Sequence, residues 1–433
     1  MKTTPAHPGT STAYRWYVLG MMCLVYTISI ADRYVTSTVL ESIRTDLHLT
    51  DTGVAFLTGT ALASFYVVMG FPLSWLVDRF NRRNIIAACL VFWSAATALT
   101  GIAKTQFHFM LTRIGVGVGE AGGTPGASSI LADYFPAASR PMALTVFSLG
   151  APVGAYVAAS FAGGIADEYG WRAVFLALGV PGVLLGLLIL LTVREPARGQ
   201  YDATPDGPAP SLGETLRFMW TQRSAIHITM GAGLTATWGW GLLFWTPALL
   251  QRTHGLSAGE VGDILGPIHL WGGGIATVLT GWWLARDAMA DPRRIARMLC
   301  VGVALATVVS GALYGTRSLE LAQWLFWLFI PAINFYIGPC FGVLNNLAQP
   351  RMRAIFCTVE IFVSNVGNLI VAPQLVGFLS DSFAGGGEPT AESLRMAVLC
   401  LVPIGFWAAA HYWWAAKTIR EDQQRATGVA PLP

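Results

Sequence analysis

Charged residues are scarce in this chain of 433 residues: Asp, Glu, Lys and Arg together make up 12%, against about a quarter in a water-soluble domain. That shortfall excludes an ordinary soluble enzyme and a charge-rich disordered scaffold. Lysine stands only at positions 2, 104 and 417. None closes a glycine-rich phosphate loop, so ATP-driven pumping by this chain alone is not expected. The six cysteines lie in or beside apolar runs without paired spacing, which leaves no disulfide framework and no zinc motif. What abounds is apolar: 54% of the residues and a mean hydropathy of +0.54 place the chain in a bilayer.

A spanning helix needs roughly 20 apolar residues, because about 1.5 Å of rise per residue must cross about 30 Å of hydrocarbon. Twelve runs qualify, at approximately 16–38, 54–76, 84–102, 107–131, 141–165, 171–193, 224–250, 259–285, 296–315, 319–344, 354–378 and 396–416. The expected fold is an all-α membrane protein of twelve transmembrane helices. The first run is too long for a signal-peptide core and is expected to stay as an anchor. With the N-terminus set in the cytoplasm, 19 of the 27 basic residues fall on the tails and even-numbered connections and 6 on the other side, leaving Arg33 and Arg113 inside spans. Short basic loops resist translocation, so both termini are expected to be cytoplasmic. The excess of Arg over Lys and the lack of an organelle signal suggest a bacterial inner membrane.

The one long polar connection holds Pro196, Pro205, Pro208 and Pro210 among charges and divides the spans six and six. The expected organisation is a tail at 1–15, a six-helix bundle at 16–193, a cytoplasmic linker at 194–223, a second bundle at 224–416 and a tail at 417–433. The halves echo each other. Leu49, Thr50 and Gly59 recur as Leu256, Ser257 and Gly266; Asp78-Arg79 answers to Arg286-Asp287; and Arg140, Gly154 and Asp167 recur as Arg353, Gly367 and Asp381. Two pseudo-symmetric six-helix bundles are one architecture of secondary transporters, whose substrate site lies near the midplane between the halves.

An ionisable group at bilayer depth costs several kcal/mol and marks a functional site by default. Asp32 and Arg33 lie about six residues before the end of the first span, and Arg113 lies about six residues into the fourth, entering from that side, so they share a depth. Glu120, seven residues past Arg113, falls on the same helix face roughly 10 Å deeper, with Gly117 between them expected to leave room for a ligand or water. Glu120 is a candidate proton carrier, with Arg113 tuning it or binding an anionic group. In the eleventh span Glu360, Ser364 and Asn368 form one polar stripe, expected to line the cavity, and Trp238 is a candidate apolar wall. His227 and His269 read as packing or interface residues, and tryptophans such as Trp282 and Trp283 as an interfacial belt. Gly117-Val-Gly119-Glu-Ala-Gly122 fits a dinucleotide fingerprint but lies within a span, where its glycines serve helix packing. Gly255-Leu-Ser257-Ala-Gly259 fits a hydrolase elbow, yet Ser257 with Glu260 before an apolar run is a helix capping box.

The segment Asp78-Arg79-Phe80-Asn81-Arg82-Arg83 resembles the signature loop of the major facilitator superfamily, with Ser74 and Asn81 in place of two of its glycines. Arg113-x-x-x-Gly117 and Gly150-Ala-Pro152-Val-Gly154 resemble the two other signatures. The resemblance implies a cytoplasmic gate of Asp78, Arg79, Arg82, Arg83 and Arg140. Asp32-Arg33, Gly117-Val-Gly119-Glu120-Ala121, Phe135-Pro136, Trp171-Arg172 with Phe175, Pro181-Gly182 and Glu195-Pro196-x-Arg198-Gly199 are similar to the Spinster-like branch. That likeness implies transport of lysophospholipid or sphingosine-type lipids, with roles for Asp32, Arg113 and Glu120. The organic-anion symporters, which carry sugar acids and dicarboxylates, share many of these features. The expectation is a secondary transporter, not an enzyme, coupled to protons through Asp32, Arg33, Arg113 and Glu120. It is expected to take an amphipathic or anionic substrate, to contact membrane lipids, to need no metal, cofactor or nucleic acid, and to act as a monomer.

Overall fold

The computed structural model describes residues 11–136, 139–199, 201, 210–284, 291–349 and 351–427, and among them there are helices and no strand. Twelve long helices cross the molecule: α1 Thr12–Thr38, α2 Asp51–Gly70 running on to Arg79, α3 Arg82–Thr100, α4 Gln106–Glu120 resuming as Gly123–Tyr134, α5 Met142–Tyr169 and α6 Trp171–Thr192. After the linker follow α7 Arg223–His254, α8 Ala258–Trp283, α9 Pro292–Gly315, α10 Leu319–Leu347, α11 Ile355–Phe383 and α12 Ala391–Ala426. Among the described residues, ten are long and apolar enough to span a membrane on their own. α4 is interrupted after Glu120, and α7 is diluted by Gly and Thr. Its central position explains that, because Trp238, Trp245 and most of its small residues are buried against protein.

Helix starts follow local chemistry. Thr50, Asn81, Thr105 and Ser318 each accept a backbone N–H of the first turn, and Ser257 with Glu260 forms the expected capping box. α7 stops at Gly255, whose φ of 66° suits a residue without Cβ. α1–α6 close around one core that includes Leu62, Leu90, Trp93 and Val116. In it, a Cβ on Gly179 would fall 2.5 Å from the Ser94 carbonyl oxygen, so α3 and α6 touch backbone to backbone. α7–α12 form the second bundle, with α12 packed against α7 and α9.

The ends of α6 and α12 and the start of α1 lie on one face of the bundle, called here the terminal face; the turns after α1 and α7 lie on the opposite face. α2, α5, α8 and α11, the helices through which the halves meet, each carry a π-helical turn, at Phe56–Thr60, Val157–Phe161, Ile268–Gly273 and Val366–Val371. Such turns admit one extra residue and recur at functional places in helices.

Candidate substrate cavity and coupling network

The four membrane-embedded charges come together as two pairs. Arg33 Nε donates to Glu120 Oε2 at 2.9 Å, and Ser29 Oγ, one turn earlier on α1, donates to Glu120 Oε1 at 3.4 Å. Asp32 takes the Thr97 hydroxyl, 2.8 Å and 2.9 Å from its two oxygens, with Arg113 Nη1 at 4.0 Å. Arg113 is wholly buried; its Nη2 reaches the Asp32 carbonyl at 3.4 Å, while Nε and Nη1 have no hydrogen-bond partner among the described residues. The pairing follows from side-chain direction, since helical side chains lean toward their helix's N-terminus. On antiparallel α1 and α4, Arg33 leans toward the deeper Glu120, and Arg113 leans away from it toward Asp32.

Gly117 does not make the room expected of it. A Cβ there would lie 2.2 Å from the Leu62 carbonyl oxygen, so this glycine serves close packing of α4 on α2.

A cavity of about 180 Å³ lies between the halves at mid-depth, walled by Arg33 and Tyr34 of α1, Trp240 of α7, His269 of α8, Asn334 of α10 and Asn368 of α11. Arg33 is the charged wall residue, with 18% of its side chain exposed and the Tyr66 ring 4.5 Å from its guanidinium, whereas Glu120 behind it has none. The polar stripe of α11 divides: Asn368 is on the wall, while Glu360 is buried and accepts the Ser364 hydroxyl at 2.7 Å. Trp238 is not on the wall. It is fully buried in the second bundle, with its indole N–H donating to Ser310 Oγ at 3.2 Å and its ring edge-on to Phe329. His269 faces the cavity edge-on to Tyr34, while His227 meets His411 at 3.0 Å on the other side of the bundle.

The halves are joined toward the opposite face. Arg252 of α7 donates to both oxygens of the wholly buried Asp51, at 2.6 Å and 2.8 Å, and to Glu41 Oε2 at 2.8 Å. Ser380 Oγ of α11 donates to Asp51 Oδ2 at 2.6 Å. Two further acids act in matching positions. The Asp381 carboxylate accepts the backbone N–H groups of Asp51 and Thr52 at the start of α2, and Asp167 accepts those of Ala258 and Gly259, with the Ser257 hydroxyl, at the start of α8. Each acid thus meets the positive end of a helix in the other half. Glycines permit the approach: a Cβ on Gly262 would lie 2.1 Å from the Ala159 carbonyl oxygen, and one on Gly377 2.6 Å from that of Asp51. The sequence reading missed this clasp. Its signal in the sequence is the recurrence of Asp167 as Asp381.

The basic residues of the signature loop are engaged within the first half. Arg82 is buried and pairs with Asp133 and, at 2.7 Å, with Glu195; Arg83 donates to the Leu190 and Val193 carbonyls; Arg140 donates to the Ala132 carbonyl; and Arg79 lies over the Trp75 ring at 4.4 Å. The Asp78 side chain and the counterpart pair at 286–287 lie outside the described residues.

The family model of the Major Facilitator Superfamily matches residues 22–372. The chain belongs to that superfamily. It is 30% identical over 413 residues to an "MFS-type efflux pump" of Mycolicibacterium smegmatis, covering 94% of each protein. It is 28% identical over 286 residues to a "Probable galactarate/D-glucarate transporter" of Bacillus subtilis, covering 60% of this chain and 62% of that one. A crystal structure of a bacterial homolog to the human lysosomal transporter Spinster, inward-facing and unoccupied, superposes with a TM-score of 0.85 at 29% identity over 95% of this chain and 99% of that one. The protein is accordingly a multi-pass membrane transporter of the Spinster-like branch rather than an enzyme.

Proposed function

We propose that this protein is a proton-coupled secondary transporter that moves an amphipathic substrate, of the lysophospholipid or sphingoid type, by alternating access. The observation that carries the reading is the Arg33–Glu120 pair, which joins a cation on the cavity wall to a carboxylate with no exposed surface. Substrate bound at Arg33 competes for that cation, and Glu120, deprived of it in a dry site, takes a proton. Asp32, held by Thr97 and facing Arg113, is the second proton site of the network; protons are the only coupling species invoked, and no cofactor is.

The cavity supports an amphipathic substrate because Arg33, Asn334 and Asn368 share its wall with Leu243, Phe244 and Trp240. With the termini assigned to the cytoplasm, as the distribution of Lys and Arg favours, the clasp closes the outer face and the described state is inward-facing. A bacterial inner membrane and a monomer complete the reading. A second reading, symport of small organic anions such as sugar acids or dicarboxylates, draws on the same Arg33 as a carboxylate clamp and on the likeness to the galactarate/glucarate transporter.

The test is substrate-dependent proton flux in liposomes across lysophospholipids and hydrophilic dicarboxylates, comparing wild type with Glu120→Gln and Asp32→Asn. Flux with lysolipids that is lost in either variant supports the first reading. Flux with dicarboxylates alone supports the second. Flux unchanged in both variants refutes the coupling network.

A further inference from the structure

The linker between the halves contains a helix, Leu212–Thr221, that the transport reading does not use. It starts with a complete capping box, Ser211 with Glu214, and ends where Arg425 of α12 donates to the Thr221 carbonyl at 3.0 Å. Gln222 then stands at the N-cap position of α7, and the buried Asp422 accepts the Ser224 N–H and hydroxyl at 2.7 Å each. The helix is therefore fixed at the edge of a spanning helix, on the terminal face.

Its surface has three sectors. Thr215 and Met219 are buried against the second bundle, and Phe218 meets the Phe356 ring of α11 at 6.3 Å. Leu212, Leu216 and Trp220, four residues apart, form an apolar stripe centred about 80° around the helix from the buried line. Leu212 is 55% exposed and Trp220 72%. Arg217 is exposed beyond the outer edge of that stripe, and Arg223 is exposed at the start of α7. Protein on one flank, an apolar stripe on the next and a cation toward water is the arrangement of a helix lying in a membrane interface.

We propose that this helix docks on the bilayer at the terminal face, its Leu212–Leu216–Trp220 stripe entering the headgroup boundary and Arg217 and Arg223 binding anionic phospholipid headgroups. Charge favours that occupant. Among the described residues of the helix the acid is Glu214, which is engaged in the capping box, while exposed Arg353, two residues before α11, adds to the basic surface beside it. The level favours it too, since Trp220 stands two residues before the cap of a spanning helix, where membrane proteins concentrate Trp.

The test uses hydrogen exchange of the intact protein in nanodiscs of phosphatidylcholine alone or with phosphatidylglycerol. The expected result is exchange in 212–221 slowed several-fold by phosphatidylglycerol, with α1–α12 unchanged, and loss of that slowing in Arg217→Gln/Arg223→Gln. Leu216→Ser/Trp220→Ser is expected to exchange faster in both lipids. Wild-type exchange that is the same in the two lipids overturns the proposal without any variant. So does slowing that persists in the double arginine variant, or that follows protein concentration instead of lipid, which would make the occupant a second copy of this chain. None of these readouts requires transport, so they stand or fall separately from proton coupling.

Discussion

Replacing Arg252 by Gln tests the clasp on the opposite face. The substitution removes two hydrogen bonds to Asp51, at 2.6 Å and 2.8 Å, and one to Glu41 at 2.8 Å. It leaves two carboxylates, one wholly buried and one with 18% of its side chain exposed, with Arg44 as the remaining cation in their network. Breaking one partner of a buried pair costs about 3–5 kcal/mol. With part of this network reached by water, about 3 kcal/mol is expected, or about a hundredfold in the ratio of closed to open molecules. Because the clasp joins the two halves and not the interior of either, the loss falls on that ratio and little on folding. Spin labels at Thr45 and Gly387, which border the same surface groove, report the ratio by pulsed electron resonance. A new long-distance population is expected in Arg252→Gln, with Tm close to wild type. A distance distribution identical to wild type would refute the reasoning.

Gly117→Ala brings a Cβ to 2.2 Å from the Leu62 carbonyl oxygen within the first bundle, and is expected to cost about 3 kcal/mol of folding stability, read as a lowered Tm. Gly262→Ala makes an equal clash with Ala159, but across the halves, so it should open the spin-label distance instead. Thr97→Val deprives Asp32 of its hydroxyl partner, an interaction with a charged group of about 1.5–3 kcal/mol, and should slow coupled transport at least about tenfold, with Thr97→Ser recovering it. Burial would raise the Glu41 carboxyl, but hydrogen bonds from Arg44 and Arg252 outweigh it and hold the group below the usual carboxylate range. A carboxyl lowered in the closed state contributes to closure above its open-state pKa and loses that contribution as pH falls. Closure should therefore be constant between about pH 6 and 8 and weaken below about pH 4, measured with the same spin labels.

The spans were legible because the hydrocarbon sets one length for all of them, and even α7, diluted by glycine and threonine, keeps enough apolar residues to be read. Depth was legible as well: Asp32, Arg33, Arg113 and Glu120 meet. Which partner each takes was not, because position along a helix axis ignores the lean of the side chain, and it is this lean that gives Glu120 to Arg33. Gly117 was misread for a related cause. A missing side chain looks like free space in sequence, and the backbone of Leu62 that fills it leaves no trace there. Trp238 shows the same limit, since Ser310, which satisfies its indole, is 72 residues away.

The two acids Asp167 and Asp381 make the closure of the halves bivalent. Once one acid sits on its helix end, the other is confined near its own target at a high effective concentration, so a single clasp that lets go is recaptured before the halves separate. Complete opening then requires both to be released within one excursion, and its rate should fall more steeply with the strength of each bond than for a single contact. In a transporter built this way a partly open molecule, through which substrate could leak, is kept rare by the duplication itself.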